Sequence, residues 1–323
     1  MATPDPITAS IRRRLYSIQG QLRPGAVAPC PCSSVVAAAA GALLEEWADP
    51  SSSGEEVLVR ALSPTKSLEE ALAVNRAMAA SPLASALGGH CGWKLGWKHA
   101  FPERPTLCGP LFGNGLMRNG DAVSLSAHRV FSAEAEFCAI MGATLGPREQ
   151  PYSEKEVWAA VDRLELCIEL CGARHFSSTN RLSYVADALL AAAVVRGGPS
   201  VALGGESGPR IDPARLPGIR VRLLVGGTEI SSGSPANNPC GSPLASLTAL
   251  ANELCVERGL SLTTGMAVIC GHCCQATFAG RSSPAALAGG ARPAEWGEAQ
   301  WKQGDTLRAE FEGLGSVETT LLD

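Results

Sequence analysis

The feature that most constrains this chain is a pair of acidic residues inside an apolar strand. Residues 131–141 read Phe-Ser-Ala-Glu-Ala-Glu-Phe-Cys-Ala-Ile-Met, and residues two apart on a strand point to the same face. Glu134 and Glu136 therefore share one face of the strand. Because both faces are otherwise apolar, we predict that the strand is buried and that both carboxylates lose their water.

Two carboxylates on one buried face need neutralisation, since each ion loses several kcal/mol of hydration on burial. Protonation, pairing with Arg or Lys, or a bound cation would each provide it. A hard divalent cation takes oxygen ligands and neutralises both charges together. The alternative from the residues alone is a solvated edge strand whose acids pair with Arg129 or Arg174.

A third acid lies in a second apolar segment. Residues 164–170 read Leu-Glu-Leu-Cys-Ile-Glu-Leu, which places Glu165 and Glu169 on one face of a predicted strand. If this strand neighbours the first, Glu134, Glu136 and Glu169 converge. Three carboxylates with open positions suit Mg²⁺ or Mn²⁺, whereas a zinc site would be built from Cys and His.

Composition narrows the class of protein. The chain has 323 residues, 46% of them hydrophobic, with a formal net charge of −4, which predicts a globular protein. The sequence has no basic stripe of the kind that binds nucleic acid. No apolar run reaches the ~18 residues that a membrane span needs. The 12 scattered cysteines are typical of a reduced, cytoplasmic protein.

The first 34 residues form an extension of different character. They hold four arginines, several serines and one acid, Asp5. This composition fits a loosely docked arm or, alternatively, a mitochondrial or plastid targeting segment. We therefore divide the chain into an extension over 1–34, a helical region over 35–90 and a catalytic domain over 91–323.

Periodicity predicts an α+β fold with many hairpin-linked strands. Helices are predicted over 35–47 and 67–78, and an Ala-rich helix over 183–196 that ends at the following glycines. A hairpin is predicted around Gly226 and Gly227. The segment near 279–301, rich in Ala, Gly and Pro, is predicted to be a surface insertion.

A series of short motifs in a fixed order carries a family resemblance over roughly residues 35–321. The motifs are Gly92-Trp-Lys-Leu-Gly96, Gly109-Pro-Leu-Phe112, Glu134-Ala-Glu136, Ile168-Glu169 with Arg174, Val185-Ala-Asp187, Pro243-Leu244 and Gly304-Asp305. In this order they resemble the 2-keto-4-pentenoate hydratase/4-oxalocrotonate decarboxylase family of the fumarylacetoacetate hydrolase superfamily.

The resemblance implies a mixed β-roll with flanking helices and a small N-terminal helical region. It assigns Mg²⁺ or Mn²⁺ to Glu134, Glu136 and Glu169, and proton transfer to Lys94. Burial and a nearby cation would lower the pKa of Lys94, whose alternative role is a structural salt bridge. By the same resemblance the substrate is a small 2-oxo acid and the protein a homo-oligomer. Four residues are expected to line the substrate pocket: Gly109, Arg174, Asp187 and His272.

The implied activity is that of a lyase, a hydratase of 2-hydroxypenta-2,4-dienoate-like acids that works through a metal-stabilised enolate. A 4-oxalocrotonate-type decarboxylase, a C–C hydrolase and an inactive structural subunit are the alternatives. The chain departs from the usual family residues at Ser132, Gly172, Ala188 and Gly271-His272, which leaves the natural substrate open. Cys30-Pro-Cys32 and His272-Cys273-Cys274 lack the second half of a zinc motif.

Overall fold

The structure is a computed structural model of the 323-residue chain. It describes residues 34–49, 54–96, 106–175, 180–198, 201–202, 212–281 and 297–323. Residues 1–33 of the predicted extension, which include Cys30 and Cys32, and residues 282–296 of the predicted insertion lie outside the described residues. No helix in the described ranges is long and apolar enough to cross a membrane.

Three helices lie at the start of the described chain, α1 (Ser34–Ala48), α2 (Gly54–Leu62) and α3 (Leu68–Ala80). Helix α3 begins at a capping box in which Ser67 and Glu70 exchange hydrogen bonds, and such a box satisfies two backbone donors at a helix start. The helices bury apolar side chains such as Leu43 and Leu72 against β-strand residues such as Ile269. Both helices predicted in this region, over 35–47 and 67–78, are therefore confirmed.

A ten-stranded mixed sheet forms the centre of the fold and curls into a half-barrel. Its main path runs β2-β1-β11-β5-β6-β7-β3, with β12, β13 and β8 attached at the side. Its strands are β1 (His90–Gly96), β2 (Leu107–Phe112), β3 (Leu116–Arg118), β5 (Val130–Met141), β6 (Val161–Gly172), β7 (Ala191–Arg196), β8 (Val201–Ala202), β11 (Ala267–Ile269), β12 (Cys274–Phe278) and β13 (Gly297–Ala299).

A five-stranded sheet packs against the other face of this half-barrel. Its order is β10-β9-β14-β15-β4, and the rings of Phe137 on β5 and Phe311 on β14 meet edge to face at 5.0 Å. Its strands are β4 (Ala122–Ser124), β9 (Val221–Val225), β10 (Thr228–Gly233), β14 (Thr306–Phe311) and β15 (Gly315–Leu322). The remaining helices are α4 (Glu154–Ala160), α5 (Arg181–Ala186) and α6 (Pro243–Ala251).

The predicted α+β class is confirmed, and so is the hairpin between β9 and β10. Gly226 and Gly227 have φ angles of 56° and 84°, the left-handed pair that a two-residue type I′ turn requires. The division at residue 90 stays a prediction. Residues on both sides of it share one apolar cluster.

The predicted helix over 183–196 is wrong for its second half. Helix α5 ends at Ala186, a short turn follows at Ala188–Leu190, and residues 191–196 form β7. Strand β7 is hydrogen-bonded to β6 on one side and to β3 on the other. Helix propensity is a weak preference that tertiary contacts override, and here a buried place between two strands outweighs the alanines.

The surface insertion predicted near 279–301 is also corrected at its C-terminal end. Residues 297–299 form β13, which pairs in parallel with β12, and the side chain of Ala299 is fully buried. This part of the segment belongs to the core because its backbone completes a sheet edge.

The close approach of β1 and β11 generates a prediction about two glycines. A Cβ on Gly92 would lie 1.8 Å from the carbonyl oxygen of Ala267, whereas a Cβ on Gly41 within α1 would meet nothing within 4 Å. We expect Gly92→Ala to lower the free energy of unfolding by ~1–3 kcal/mol through overpacking. Gly41→Ala should raise it by ~0.5–1 kcal/mol. Urea unfolding of both variants beside the wild type checks this, and equal effects would contradict the tight strand contact.

Candidate active site

The pairing of β5 with β6 brings the three predicted acids together. Glu134 lies directly opposite Glu169, and Glu136 lies opposite Cys167. The side chains of Glu136 and Glu169 are fully buried, and Glu134 is half-buried. The edge-strand alternative is wrong, because β5 lies inside the sheet and Arg129 and Arg174 pair with other acids.

Several carboxylate oxygens at this point lack hydrogen-bond donors among the described residues. Glu136 Oε2 accepts a hydrogen bond of 2.8 Å from the backbone N–H of Gly271. Glu136 Oε1 and Glu169 Oε2 are buried without a hydrogen-bond partner in the described part of the chain. A buried, unpaired acceptor costs about 1–3 kcal/mol, and more when it is charged. These two oxygens are therefore available to coordinate a cation.

Lys94 supplies the positive charge next to these acids. It lies on β1, is 2% exposed, and its ammonium group forms an ion pair with Glu169. Nζ also donates a hydrogen bond of 3.0 Å to the carbonyl oxygen of Leu189. Burial opposes the charge on Lys94, but the carboxylates, Glu169 first, outweigh it and raise its pKa. The lowered pKa predicted for Lys94 concerns a site that holds a cation, so it stays a prediction.

The pKa values of two of the acids are raised as well, but here burial is the main cause. Burial raises the pKa of Glu136 well above its ordinary value, and the charges of Glu169 and Glu134 add to this effect. Burial also raises the pKa of Glu169, to about 7, although Lys94 pulls it down. The metal-free cluster therefore holds protons near neutral pH, as expected for like charges forced together.

A strained turn presents the carbonyl group that Lys94 contacts. Ala188, Leu189 and Leu190 have φ angles of 48°, 53° and 67°, a left-handed conformation that costs non-glycine residues about 1–2 kcal/mol each. Three consecutive residues in this conformation persist only where the surroundings hold them firmly.

Asn75 of α3 provides much of that support. Its side-chain oxygen accepts a hydrogen bond of 3.2 Å from the N–H of Ala188. Its amide nitrogen donates to the carbonyl oxygens of Cys108, at 3.0 Å, and Val185, at 2.9 Å. The N-terminal helices are thereby connected to the turn beside Lys94.

Gly109 is paired with Lys94 across β1 and β2. A Cβ at this position would lie 2.3 Å from the carbonyl oxygen of Ala188. Glycine is therefore required for the strained turn to approach β2, and the substrate-binding role expected of Gly109 stays a prediction.

Arg174 and Asp187 contact each other rather than the carboxylate cluster. Arg174 Nε lies 3.3 Å from Asp187 Oδ1, and the backbone N–H of Arg174 donates to Asp187 Oδ2 at 2.8 Å. The guanidinium group stacks on Trp47, 3.5 Å from the ring centre. It lines a cavity of about 180 Å³ together with Trp47 and Arg129. The expected contact of Arg174 and Asp187 with substrate stays a prediction.

His272 lies half-buried in the loop between β11 and β12. Its neighbour Gly271 donates to Glu136, so the loop reaches the cluster through its backbone. Among the described residues, the potential metal donors that group together are Glu134, Glu169 and Cys171 rather than His272 and the cysteines after it. The role of His272 in the substrate pocket stays a prediction.

Two contributors to the site were missed in the sequence. Asn75 follows Leu68, Ala71 and Leu72 on the apolar face of α3, and an amide on such a face is a signal of a buried hydrogen bond. Cys171 shares the face of Glu169 two residues earlier, a signal that strand alternation made available.

The comparisons with known proteins identify the fold. No family model and no curated protein matches the sequence. Two solved structures of 4-oxalocrotonate decarboxylase from Pseudomonas putida G7 match at 21% identity, covering 89% of this chain and 97% of theirs. The one complexed with magnesium and adipate has a TM-score of 0.67, and the one complexed with calcium and acetate 0.66. A fumarylacetoacetate hydrolase from Exiguobacterium antarcticum aligns at 14% identity and a TM-score of 0.48, covering 73% of this chain and 76% of its own.

The chain shares with the two decarboxylase structures a mixed α+β fold that has a curled half-barrel sheet and N-terminal helices. Within that class, the chain matches 4-oxalocrotonate decarboxylase over most of its length. The family resemblance predicted from the ordered motifs is thereby confirmed at the level of the fold.

The raised pKa of Glu169 predicts how stability changes with pH in the metal-free protein. Folded Glu169 keeps its proton up to a pKa of about 7, whereas the ordinary value is 4.5. The contribution of Glu169 to the free energy of unfolding is fully present below about pH 4.5 and is lost as the pH rises through about 7. Urea unfolding with chelator at about pH 5 and about pH 8 should show a larger loss for the wild type than for Glu169→Gln. Equal losses would exclude this linkage.

The hydrogen bonds of Asn75 predict a second effect on stability. Asn75→Ala leaves the Ala188 N–H and two carbonyl oxygens unpaired in the interior, so the free energy of unfolding should fall by at least ~2 kcal/mol. Asn114→Ala is the control, because that exposed amide makes one hydrogen bond, to Ala86. It should change stability by less than ~0.5 kcal/mol. Similar values for the two variants, measured by urea unfolding, would count against the support that Asn75 gives the turn.

Proposed function

We propose that the protein is a metal-dependent lyase of small 2-oxo acids. The reaction that we expect it to catalyse is the hydration of 2-hydroxyalkenoic acids such as 2-hydroxypenta-2,4-dienoate. The observation that carries the proposal is that the fully buried Glu136 and Glu169 converge with the half-buried Glu134 beside Lys94. No requirement of folding alone calls for three acids at this depth, since their burial is costly.

The donor atoms fit a divalent cation. Three carboxylates opposed by one ammonium group leave two negative charges unbalanced, and a divalent ion neutralises that number. The unpaired oxygens of Glu136 and Glu169 are the hard donors that Mg²⁺ and Mn²⁺ prefer. Glu134, Glu136 and Glu169 would hold the ion. When bound, it would polarise the 2-oxo group of the substrate as a Lewis acid.

Lys94 would move the proton. Its Nζ is fixed by the Leu189 carbonyl oxygen and by Glu169, which aims an N–H group into the cluster. Glu169 is the main attraction that raises the pKa of Lys94. Once that carboxylate is neutralised, burial lowers the pKa towards the range useful for proton transfer at neutral pH. The strained turn would keep Nζ in place during the transfer, because precise placement of a proton donor governs its efficiency.

Decarboxylation of a 2-oxo acid is the second candidate activity. The observation that favours it is the fold match to 4-oxalocrotonate decarboxylase, at a TM-score of 0.67 for the magnesium and adipate complex. Both candidate activities would use the same acids and the same lysine. They differ in the reaction of the substrate, which gains water in a hydratase and loses CO₂ in a decarboxylase. The homo-oligomer and the cytoplasmic location stay predictions on which neither candidate depends.

The activity test uses metal-stripped protein and the ultraviolet absorbance of 2-hydroxypenta-2,4-dienoate. Added Mg²⁺ or Mn²⁺ should restore consumption of the substrate. Glu136→Ala should lower kcat/KM by at least ~100-fold, because losing even a supporting residue of a metal site costs 10–100-fold. Glu165→Gln is the matched control. Glu165 lies on β6, the strand that carries Glu169, but forms ion pairs with Arg163 and Arg196, so metal-dependent activity should remain.

Three other outcomes would change the assignment. Release of CO₂ from 2-oxohexenedioate, with no hydration of the dienoate, would favour the decarboxylase. Metal-loaded protein that consumes neither substrate would favour an inactive structural subunit. Activity that is unaffected by Glu136→Ala would contradict the metal role of the carboxylate cluster.

A further inference from the structure

A sulfur atom lies among the carboxylates that the proposed function assigns to metal. Cys171 follows Glu169 by two residues on β6, so both side chains occupy one face, and Cys171 is 4% exposed. One donor atom each from Glu134, Glu169 and Cys171 lies within 4.8 Å of the others. Cys171 Sγ is therefore as much a member of this donor group as the two oxygens.

The neighbours of Cys171 hold its thiol in this position. Ser132 lies opposite Cys171 across β5 and β6, is fully buried, and forms a side-chain hydrogen bond with the thiol. Gln275 Nε2 in turn donates to Ser132 Oγ at 3.4 Å. Two buried neutral polar side chains, Ser132 and Gln275, thus support the sulfur atom.

The buried Oε2 of Glu169 is a second observation that points to a ligand in the same space. Glu169 is fully buried, and its Oε2 accepts no hydrogen bond from the described residues. Lys94 contacts Glu169 through its other oxygen, Oε1. A cation between Glu134, Glu169 and Cys171 would give this oxygen a partner.

We propose that Cys171 supplies a sulfur donor to the metal ion of the proposed active site and thereby favours borderline transition-metal ions over Mg²⁺. This inference rests on the proposed metal site and concerns its selectivity. Thiolate is a soft ligand that suits transition-metal ions, whereas Mg²⁺ selects oxygen and gives up its water reluctantly. Coordination replaces the thiol proton with the ion, and the proton leaves to the buffer.

Co²⁺ is the probe for this proposal, because a cobalt–thiolate bond absorbs in the near ultraviolet and a cobalt–carboxylate bond does not. Metal-free wild type titrated with Co²⁺ should develop this absorbance at one equivalent. Cys171→Ser should lose it and bind Co²⁺ about 10–100-fold more weakly, the range found for altered metal-site residues. Its affinity for Mg²⁺, measured by calorimetry, should change by less than about threefold, because the oxygen ligands remain.

Cys255→Ser is the matched control. Cys255 is equally buried, and its Sγ donates a hydrogen bond to the Leu145 carbonyl oxygen, a bond that serine preserves. This variant should keep the full absorbance and both affinities. Circular dichroism and urea unfolding of each variant separate loss of a ligand from loss of the fold.

Failure of the proposed role of Cys171 and failure of the proposed metal site would give different results. Wild-type protein that binds one equivalent of Co²⁺ without the thiolate absorbance would overturn the role of Cys171 and leave the carboxylate site standing. Absorbance that persists in Cys171→Ser would overturn it as well. Wild-type protein that binds neither Co²⁺ nor Mg²⁺ would overturn the metal site itself. Since the wild-type spectrum is decisive alone, the test does not depend on the variant folding.

Discussion

The structure is organised around the electrostatic repulsion between three carboxylates that meet in the middle of a sheet. Glu134 and Glu169 face each other across β5 and β6, and Glu136 lies beside them. Glu136 and Glu169 are fully buried, and Glu134 is half-buried. Lys94 provides one compensating positive charge, so the negative charges of the three acids are not balanced. Burial, to which repulsion between the acids adds, raises the pKa values of Glu136 and Glu169. A bound cation would instead neutralise the acids and keep them as carboxylate ligands.

Holding such a cluster together requires rigidity in the layers around it. The left-handed turn at residues 188–190 carries backbone strain, and it persists because Asn75, Gly109 and Lys94 each contact it. Asn75 belongs to helix α3, so the N-terminal helical region helps to hold the turn beside Lys94 in place. Strain stored beside reactive groups and maintained by the surrounding structure is a common feature of functional sites.

Prediction from sequence succeeded where a residue pattern had one physical meaning. The helix predicted from residue 67 begins at a capping box, and the Gly226-Gly227 pair specifies a hairpin turn. It failed over 191–196, where alanines favour a helix but the neighbouring strands require a strand. It also missed Cys171, because a cysteine in an apolar strand is usually core, and the structure is what groups it with Glu134 and Glu169.

Strand alternation fixes side-chain direction within one strand, so the residue order of each strand was enough to place every acid on a face. The apolar residues around Glu136 and Glu169 were enough to predict that both are buried, whereas Glu134 is half-buried. Which acids meet depends on tertiary contacts, because the register of β5 on β6 joins segments about 35 residues apart. For the same reason, the chain order alone did not reveal that Leu189, Asn75 and Cys171 belong to the site.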